Sequence, residues 1–132
     1  LSRFNARDVT AFEDYLCEDM QMLNGALRFE GGEGMKDHYV GKIWPHFEEK
    51  LNLIRFLGGE DHVAVELRTD FTALHDADDT LFGPVEKGEM FVYRGLIMYD
   101  LRDGRFATIT VAYNSFTNVK TDGTQVEMGL PH

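Results

Sequence analysis

The stretch EMFVYRGLIMYDLRDGRFATITVAYNSF, residues 89–116, decides the fold. Two runs rich in aromatic and β-branched residues, 89–101 and 105–116, flank the pair Asp103-Gly104. Asp-Gly between two such runs signals a two-residue hairpin turn, because both central residues of that turn need positive φ. The stretch therefore predicts two long antiparallel strands joined by a tight turn.

Two more strands are predicted before this hairpin. Residues 62–74 alternate between apolar and polar side chains over much of their length, and residues 51–57 form a second candidate strand. The sequence Gly58-Gly59-Glu60-Asp61 between them is typical of a turn. We therefore expect a run of antiparallel strands over the second half of the chain.

Before residue 50 the apolar spacing is helical. Met35, Tyr39, Ile43 and Phe47 recur every four residues, and a shorter helix is predicted over residues 9–16. Helices followed by a run of antiparallel strands indicate the α+β class. We expect a curved antiparallel sheet wrapped around N-terminal helices, a cone-shaped α+β barrel that encloses a pocket for a small ligand.

Length and hydropathy predict how the chain is organised. At 132 residues we expect one domain, with residues 117–132 as a surface tail. No apolar run approaches ~18 residues and no signal peptide is visible, so we expect a cytoplasmic protein without a membrane span.

Charge and cysteine content argue against several classes of partner. The formal net charge of −10 disfavours nucleic acids and anionic membranes, since binding phosphates requires a basic surface. Cys17 is the single cysteine and the five histidines lack the HExxH spacing, so no metal site is expected. Without a phosphate loop or dinucleotide fingerprint, we also expect no organic cofactor.

The order of predicted elements resembles the nuclear transport factor 2-like superfamily, and within it the SnoaL-like branch. The stretches that carry the resemblance are FNARDVTAFEDYLCEDM (4–20), GGEGMKDHY (31–39) and YDLRDGRF (99–106). That superfamily includes polyketide cyclases, ketosteroid isomerases, limonene-type epoxide hydrolases, scytalone dehydratases and binding proteins without catalysis. The resemblance therefore implies the fold and leaves the activity open.

Individual family patterns fit to different degrees. The Arg-x-Asp of the epoxide hydrolases matches Arg68 and Asp70, and their asparagine matches Asn24, but their tyrosine position is Met22. The base carboxylate of the ketosteroid isomerases also falls on Asn24, and an amide cannot act as a base. The resemblance thus implies Arg68, Asp70 and Asn24 as catalytic residues.

The stretch VELRTDF, residues 65–71, carries charged side chains on one face of its strand. Glu66, Arg68 and Asp70 occupy the even positions. They form either a solvent-exposed face or the wall of a pocket, and the resemblance favours the pocket. We predict that all three point inward and that Arg68 keeps Asp70 ionised as the general base.

A two-residue turn at Asp103-Gly104 sets the register of the hairpin. It pairs Met98 with Ile109, Leu96 with Val111, and Arg94 with Tyr113. By resemblance, Leu96 and Val111 lie on the cavity side. The predicted substrate-binding residues are Arg94, Tyr113, Leu96, Met98, Val111, Tyr39 and Trp44. A bulge would shift the register by one and reverse the faces of one strand.

These residues predict cofactor-free acid–base chemistry on a small, mostly apolar, oxygenated metabolite. Isomerisation, cyclisation, dehydration and hydrolysis all fit this arrangement. A non-catalytic ligand-binding or dimerisation module of the same fold is the alternative. Both faces of the hairpin are largely apolar, so we also expect a homodimer that buries the face turned away from the pocket.

Overall fold

A computed structural model describes residues 1–129. Its elements in chain order are α1 (Ser2–Asn5), α2 (Thr10–Tyr15), β1 (Leu16–Asn24), β2 (Leu27–Glu30), α3 (Gly31–His38), a π-helix (Tyr39–Ile43), β3 (Phe47–Gly58), β4 (His62–Ala73), β5 (Met90–Arg102), β6 (Arg105–Val119) and β7 (Gln125–Glu127).

The strands form one curved sheet that does not close on itself. Its strand order is β2-β1-β6-β5-β4-β3, and the short β7 pairs with β6. Neighbouring strands are antiparallel except β1 and β6, which are parallel. The predicted α+β class, with N-terminal helices packed in a curved sheet, is confirmed.

The apolar stripe over residues 35–47, predicted as a helix with a kink or short break at Pro45, is divided among an α-helix, a π-helix and a strand. The α-helix ends at His38, a π-helix follows, and Phe47 already begins β3. Pro45 explains the break, because proline has no N–H to donate and its ring crowds the preceding turn. Phe47 reaches the core from a strand and is fully buried there.

Adjacent residues of β4 point to opposite faces of the sheet. Leu67, Thr69 and Phe71 are buried on the concave side. The prediction that Glu66, Arg68 and Asp70 point inward is therefore wrong. The alternation was predicted correctly, but the face was not. The uncharged side chains of β4 face the concave side, because burying the charged ones would require their desolvation.

The hairpin turn was predicted correctly, but the register beyond it was not. Arg102 pairs with Arg105, and Asp103 and Gly104 have φ of 54° and 76°. Between the Leu101–Phe106 pair and the Asp100–Thr108 pair the register shifts by one residue, because β6 contains one extra residue. The observed pairs are then Tyr99 with Ile109, Ile97 with Val111, and Gly95 with Tyr113. This bulge reverses the predicted faces of β5 and leaves those of the facing part of β6 unchanged.

The first part of the predicted surface tail belongs to the core instead. Residues 117–119 complete β6, and the side chain of Asn118 is only 2 % exposed. Its amide donates to the Glu89 carboxylate at 3.1 Å and to the Met90 carbonyl at 3.1 Å. The end of the predicted tail, residues 130–132, lies outside the described part of the chain.

Candidate functional site

A cavity of about 170 Å³ lies between the N-terminal helices and the concave face of the sheet. Its apolar walls combine helix and strand side chains. They include Phe4, Phe12, Leu16, Met22, Met35, Leu67, Ile97, Phe106, Ile109 and Val111. Such a mostly apolar enclosure suits a small ligand whose surface is largely hydrocarbon.

A limited set of polar side chains also lines the cavity. These are Arg3, Tyr15, Asn24, Tyr39, Glu49, Thr69, Tyr93, Tyr99 and Tyr113. Arg3 pairs with Asp8 and Asp14 at 2.8 Å each. Glu49 is therefore the one carboxyl group among the residues that line this cavity.

Glu49 projects from β3 and is 6 % exposed. The indole Nε1 of Trp44 donates to its Oε2 at 3.1 Å. Burial raises the pKa of Glu49 to about 8, against the lowering effects of the Trp44 hydrogen bond and the charge of Arg7. A carboxyl group with this pKa can both give and take a proton near neutral pH.

The sequence contains a signal for Glu49 that the strand prediction missed. Phe47, Glu49 and Leu51 share one parity along β3; Phe47 is buried in the core and Leu51 lines the cavity. Because the strand was predicted to begin at residue 51, Glu49 was left outside the alternation. With β3 beginning at Phe47, the period of two places this carboxyl group on the concave face.

Asn24 and Tyr113 form a second polar pair in the cavity wall. The Asn24 Nδ2 donates to the Tyr113 hydroxyl oxygen at 3.2 Å. Since that oxygen accepts from the amide, the phenol proton remains available to a ligand. Gly95 permits this arrangement: a Cβ there would come 2.5 Å from the Ala112 carbonyl oxygen and 3.0 Å from the Tyr113 Cα.

Three buried or half-buried tyrosines, Tyr39, Tyr93 and Tyr99, border the same space, as does the exposed Tyr15. Burial raises the pKa of Tyr39 and of Tyr93, and it raises the pKa of Tyr99 to about 12. Burial also raises the pKa of Tyr113, opposed by its hydrogen bond from Asn24. These phenols stay protonated at neutral pH and act as hydrogen-bond donors in an apolar setting.

Four of the ten residues named from the sequence line the cavity. They are Asn24, Tyr39, Val111 and Tyr113. Trp44 lies one layer behind the wall, packed against Phe4, Phe12 and Tyr39 with ring centroids 5.6 to 6.2 Å apart. Its predicted contact with substrate is wrong, because its indole faces Glu49 and neighbouring rings.

Arg68 and Asp70 form the predicted ion pair, but on the outer face of the sheet. Arg68 Nε donates to Asp70 Oδ1 at 2.7 Å, with side chains 49 % and 19 % exposed. Asn52 adds a hydrogen bond to the other carboxylate oxygen at 3.2 Å. Neither side chain reaches the cavity, so the structure contradicts their assignment as catalytic residues.

The β5 residues assigned to substrate binding also lie on the outer face. Leu96 and Met98 are exposed there, and Arg94 pairs with Glu66 at 3.3 Å. Glu66 also accepts from Arg55 at 2.6 Å. The bulge in β6 explains this error, since one extra residue brings Tyr93, Gly95, Ile97 and Tyr99 to the concave side instead.

Residues 1–129 contain neither a helix able to span a membrane nor a cluster of metal ligands. Among residues 1–129, no helix has the length and hydropathy needed to cross a bilayer. Over the same residues, no three His, Cys, Asp or Glu side chains converge as metal ligands would.

Comparison with protein families matches residues 1–109 to the SnoaL-like domain. The chain belongs to the SnoaL-like family. No curated protein sequence matches it. The family assignment agrees with the helices, the curved sheet and the position of the cavity between them.

Several solved structures share this fold. A candidate polyketide cyclase from Xanthomonas campestris pv. campestris is 24% identical with a TM-score of 0.69, over 86% of this chain and 83% of that one. IdmH, a candidate polyketide cyclase from Streptomyces antibioticus, is 17% identical with a TM-score of 0.68, over 86% and 85%. An epoxide hydrolase of the LEH-like type from M. tuberculosis is 12% identical with a TM-score of 0.65, over 86% and 76%. At these identities the likeness establishes the fold alone.

Proposed function

We propose that this SnoaL-like chain is an enzyme that carries out cofactor-free acid–base chemistry on a small, mostly apolar, oxygenated metabolite. The observation that carries the proposal is Glu49, a buried carboxyl group in a mostly apolar and aromatic cavity. Isomerisation, cyclisation, dehydration and hydrolysis each require a proton to be moved at such a position.

Glu49 is the proton-transfer residue in this proposal. Burial holds its pKa at about 8, so at neutral pH the resting carboxyl group is mostly protonated and acts first as an acid. The hydrogen bond from Trp44 occupies Oε2. Oε1 is the oxygen left to exchange a proton with the substrate.

Tyr113 and Asn24 orient the oxygen of the substrate. The Tyr113 hydroxyl donates to a carbonyl, epoxide or hydroxyl oxygen, and Asn24 holds that hydroxyl by donating to it at 3.2 Å. A donor held in advance within an apolar cavity stabilises negative charge that develops on that oxygen. The polyketide-cyclase and epoxide-hydrolase names of structural relatives fit substrates that carry such oxygens.

A panel of terpenoid, steroid and aromatic polyketide substrates tests the proposal. We expect turnover of at least one compound, and a loss of 10²–10⁴-fold, a typical range for such a group, in Glu49→Gln. Glu48→Gln is the matched control, because Glu48 is the adjacent residue on the exposed face of β3. Equal turnover by Glu49→Gln and the parent would exclude Glu49 as the proton-transfer residue.

A non-catalytic ligand-binding or dimerisation module remains the alternative function. It is supported by an apolar groove on the outer sheet face that includes exposed Phe56, Leu57, Leu96 and Met98. We propose a second copy of the chain as the occupant of this groove. In a two-fold symmetric dimer the same surface patch of each subunit contacts that of the other, so one apolar patch is sufficient. Binding of panel compounds without turnover would favour the alternative.

The oligomeric state tests the homodimer separately. We expect a dimer in light scattering at micromolar concentration, and a monomer for Leu96→Glu, which puts a charge into the apolar groove. Lys42→Glu is the control, because Lys42 is exposed on the π-helix and remote from this sheet face. A monomeric parent would remove the dimer and leave the cavity proposal intact. The cytoplasmic location stays a prediction of the sequence.

A further inference from the structure

We infer that Trp44 and Arg7 are positioning residues that hold Glu49 in one orientation and set the affinity of its carboxyl group for a proton. The sequence alone does not indicate that either residue contacts or affects Glu49. The inference deepens the proposed function by assigning the control of its proton-transfer residue. It can be tested without a substrate.

Trp44 acts through a hydrogen bond at a fixed place. Its Nε1 lies 3.1 Å from Glu49 Oε2, and its ring is packed among the rings of Phe4, Phe12 and Tyr39. An indole N–H only donates, so this contact favours an oxygen that accepts. The proton of the neutral carboxyl group is thereby directed to Oε1, and the ionised form is stabilised.

Arg7 acts through its charge. Its guanidinium donates to the Phe47 carbonyl at 2.9 Å and to the Trp44 carbonyl at 3.4 Å, which anchors it beside the start of β3. Its positive charge stabilises ionised Glu49 and lowers the pKa of that carboxyl group, although less than burial raises it. The same anchor joins the main chain of Trp44 to that of the strand carrying Glu49.

The backbone of Arg7 closes helix α1. Its φ of 57° lies in the left-handed region, which few residues other than glycine adopt. Its N–H donates to the Phe4 carbonyl at 2.8 Å and the Asp8 N–H donates to the Arg3 carbonyl at 2.9 Å, the pattern of a helix C-terminal cap. The two hydrogen bonds of the Arg7 side chain connect this cap to the main chain of Trp44 and Phe47.

The other titratable groups around Glu49 are neutral or paired, so Arg7 is the charged group that affects its pKa. Tyr39 and Tyr113 face it from the π-helix and β6, and both are neutral phenols at neutral pH. Tyr93 and Tyr99 on β5 are also neutral. Arg3 on α1 is paired with Asp8 and Asp14. Within residues 1–129, Arg7 is the cation whose charge acts on the Glu49 carboxyl group.

Trp44 provides the reporter for the test, because it is the single tryptophan of the chain. Its emission should follow the ionisation of Glu49 between about pH 5 and about pH 10, and Glu49→Gln should abolish that transition. A parent without this transition would overturn the inference. The transition needs no ligand, so its result does not depend on finding the substrate.

Two Arg7 variants separate charge from side-chain length. Arg7→Met should raise the midpoint of the transition by about one pH unit, whereas Arg7→Lys should leave it within about 0.3 units of the parent. Equal midpoints in all three proteins would contradict the role assigned to Arg7. A shift common to both variants would assign the effect to the main-chain anchor instead of the charge, and would also contradict it.

Trp44→Phe removes the donor and keeps an aromatic ring. The Glu49 carboxyl carbon, followed by ¹³C NMR, should then titrate about one pH unit higher than in the parent. An unchanged midpoint would contradict the role of Trp44. If Trp44→Phe does not fold, the inference is tested by the midpoint of the Trp44 emission transition in the Arg7 variants. Shifted midpoints without any turnover would uphold this inference and refute the proposed function, whereas turnover lost in Glu49→Gln without shifted midpoints would do the reverse.

Discussion

The two faces of the sheet place acidic side chains in different environments. On the concave face, Glu49 lies in an apolar wall with one hydrogen bond from Trp44. On the outer face, Asp70 meets Arg68 at 2.7 Å and Asn52 at 3.2 Å, and the Arg68 side chain is half exposed. A paired surface carboxylate is stable as an ion, whereas a buried one with few partners holds a proton for exchange.

The largest loss of stability is expected for Phe71, on the concave face of β4, whose neighbour Asp70 lies on the outer face. Phe71 packs on the concave side against Phe47, Phe82 and Tyr93 at 5.3 to 6.3 Å. Phe71→Ala should therefore lower the free energy of unfolding by about 3–5 kcal/mol. Urea denaturation measures it. A loss below about 1 kcal/mol would show that β4 does not bury this face.

Glu49→Gln should change how stability depends on pH. In the parent, the native pKa of about 8 lies above the ordinary glutamate value of 4.5. Stability is therefore greatest below the lower value and falls as pH rises through this window, because ionised Glu49 is costly to bury. Glu49→Gln should exceed the parent by about 5 kcal/mol at about pH 9 and match it near about pH 4. Thermal unfolding across pH checks this, and parallel curves would contradict it.

Tyr113→Phe should have a smaller effect, because it removes one hydroxyl from the cavity wall. We expect a loss of about 1 kcal/mol in unfolding free energy, since the Asn24 amide loses its acceptor at 3.2 Å. Turnover of any substrate found should fall by more than binding does, as expected for a donor to developing charge. Equal turnover in both proteins would remove Tyr113 from the proposed chemistry.

The smallest effect is expected on the outer face. Asp70→Asn should cost about 0.5 kcal/mol and leave turnover unchanged, because the pair with Arg68 is solvated. Chemical denaturation and the substrate panel measure both quantities. A loss of activity comparable with that of Glu49→Gln would restore the sequence-based assignment and break the contrast between the faces.

Several elements of this fold could be predicted from local patterns, but the site could not. Alternation in β4, the Asp103-Gly104 turn and the helical spacing before residue 40 each act over a few residues, and the structure contains them. Which face becomes concave depends on packing across the whole sheet. A single extra residue in β6 then exchanged the two faces of β5.

Glu49 shows a different limit of sequence reasoning. The charged motif Arg68-x-Asp70 attracted the catalytic assignment because it resembles a family pattern, whereas Glu49 stands in the run Glu48-Glu49-Lys50. Such a charged run is typical of a solvated segment. Only the placement of Phe47 in a strand separates the buried carboxyl group from its exposed neighbours.

A titration of the Glu49 carboxyl carbon by ¹³C NMR tests the central claim most directly. Glu49→Gln identifies the resonance, and Glu48 on the exposed side of the same strand serves as the internal reference. We predict a midpoint near the pKa of about 8 for Glu49, so that its carboxyl group is mostly protonated at neutral pH. A midpoint near the ordinary glutamate pKa of about 4.3 would show an ionised, solvated carboxylate and would contradict the assignment of Glu49 as the acid of this cavity.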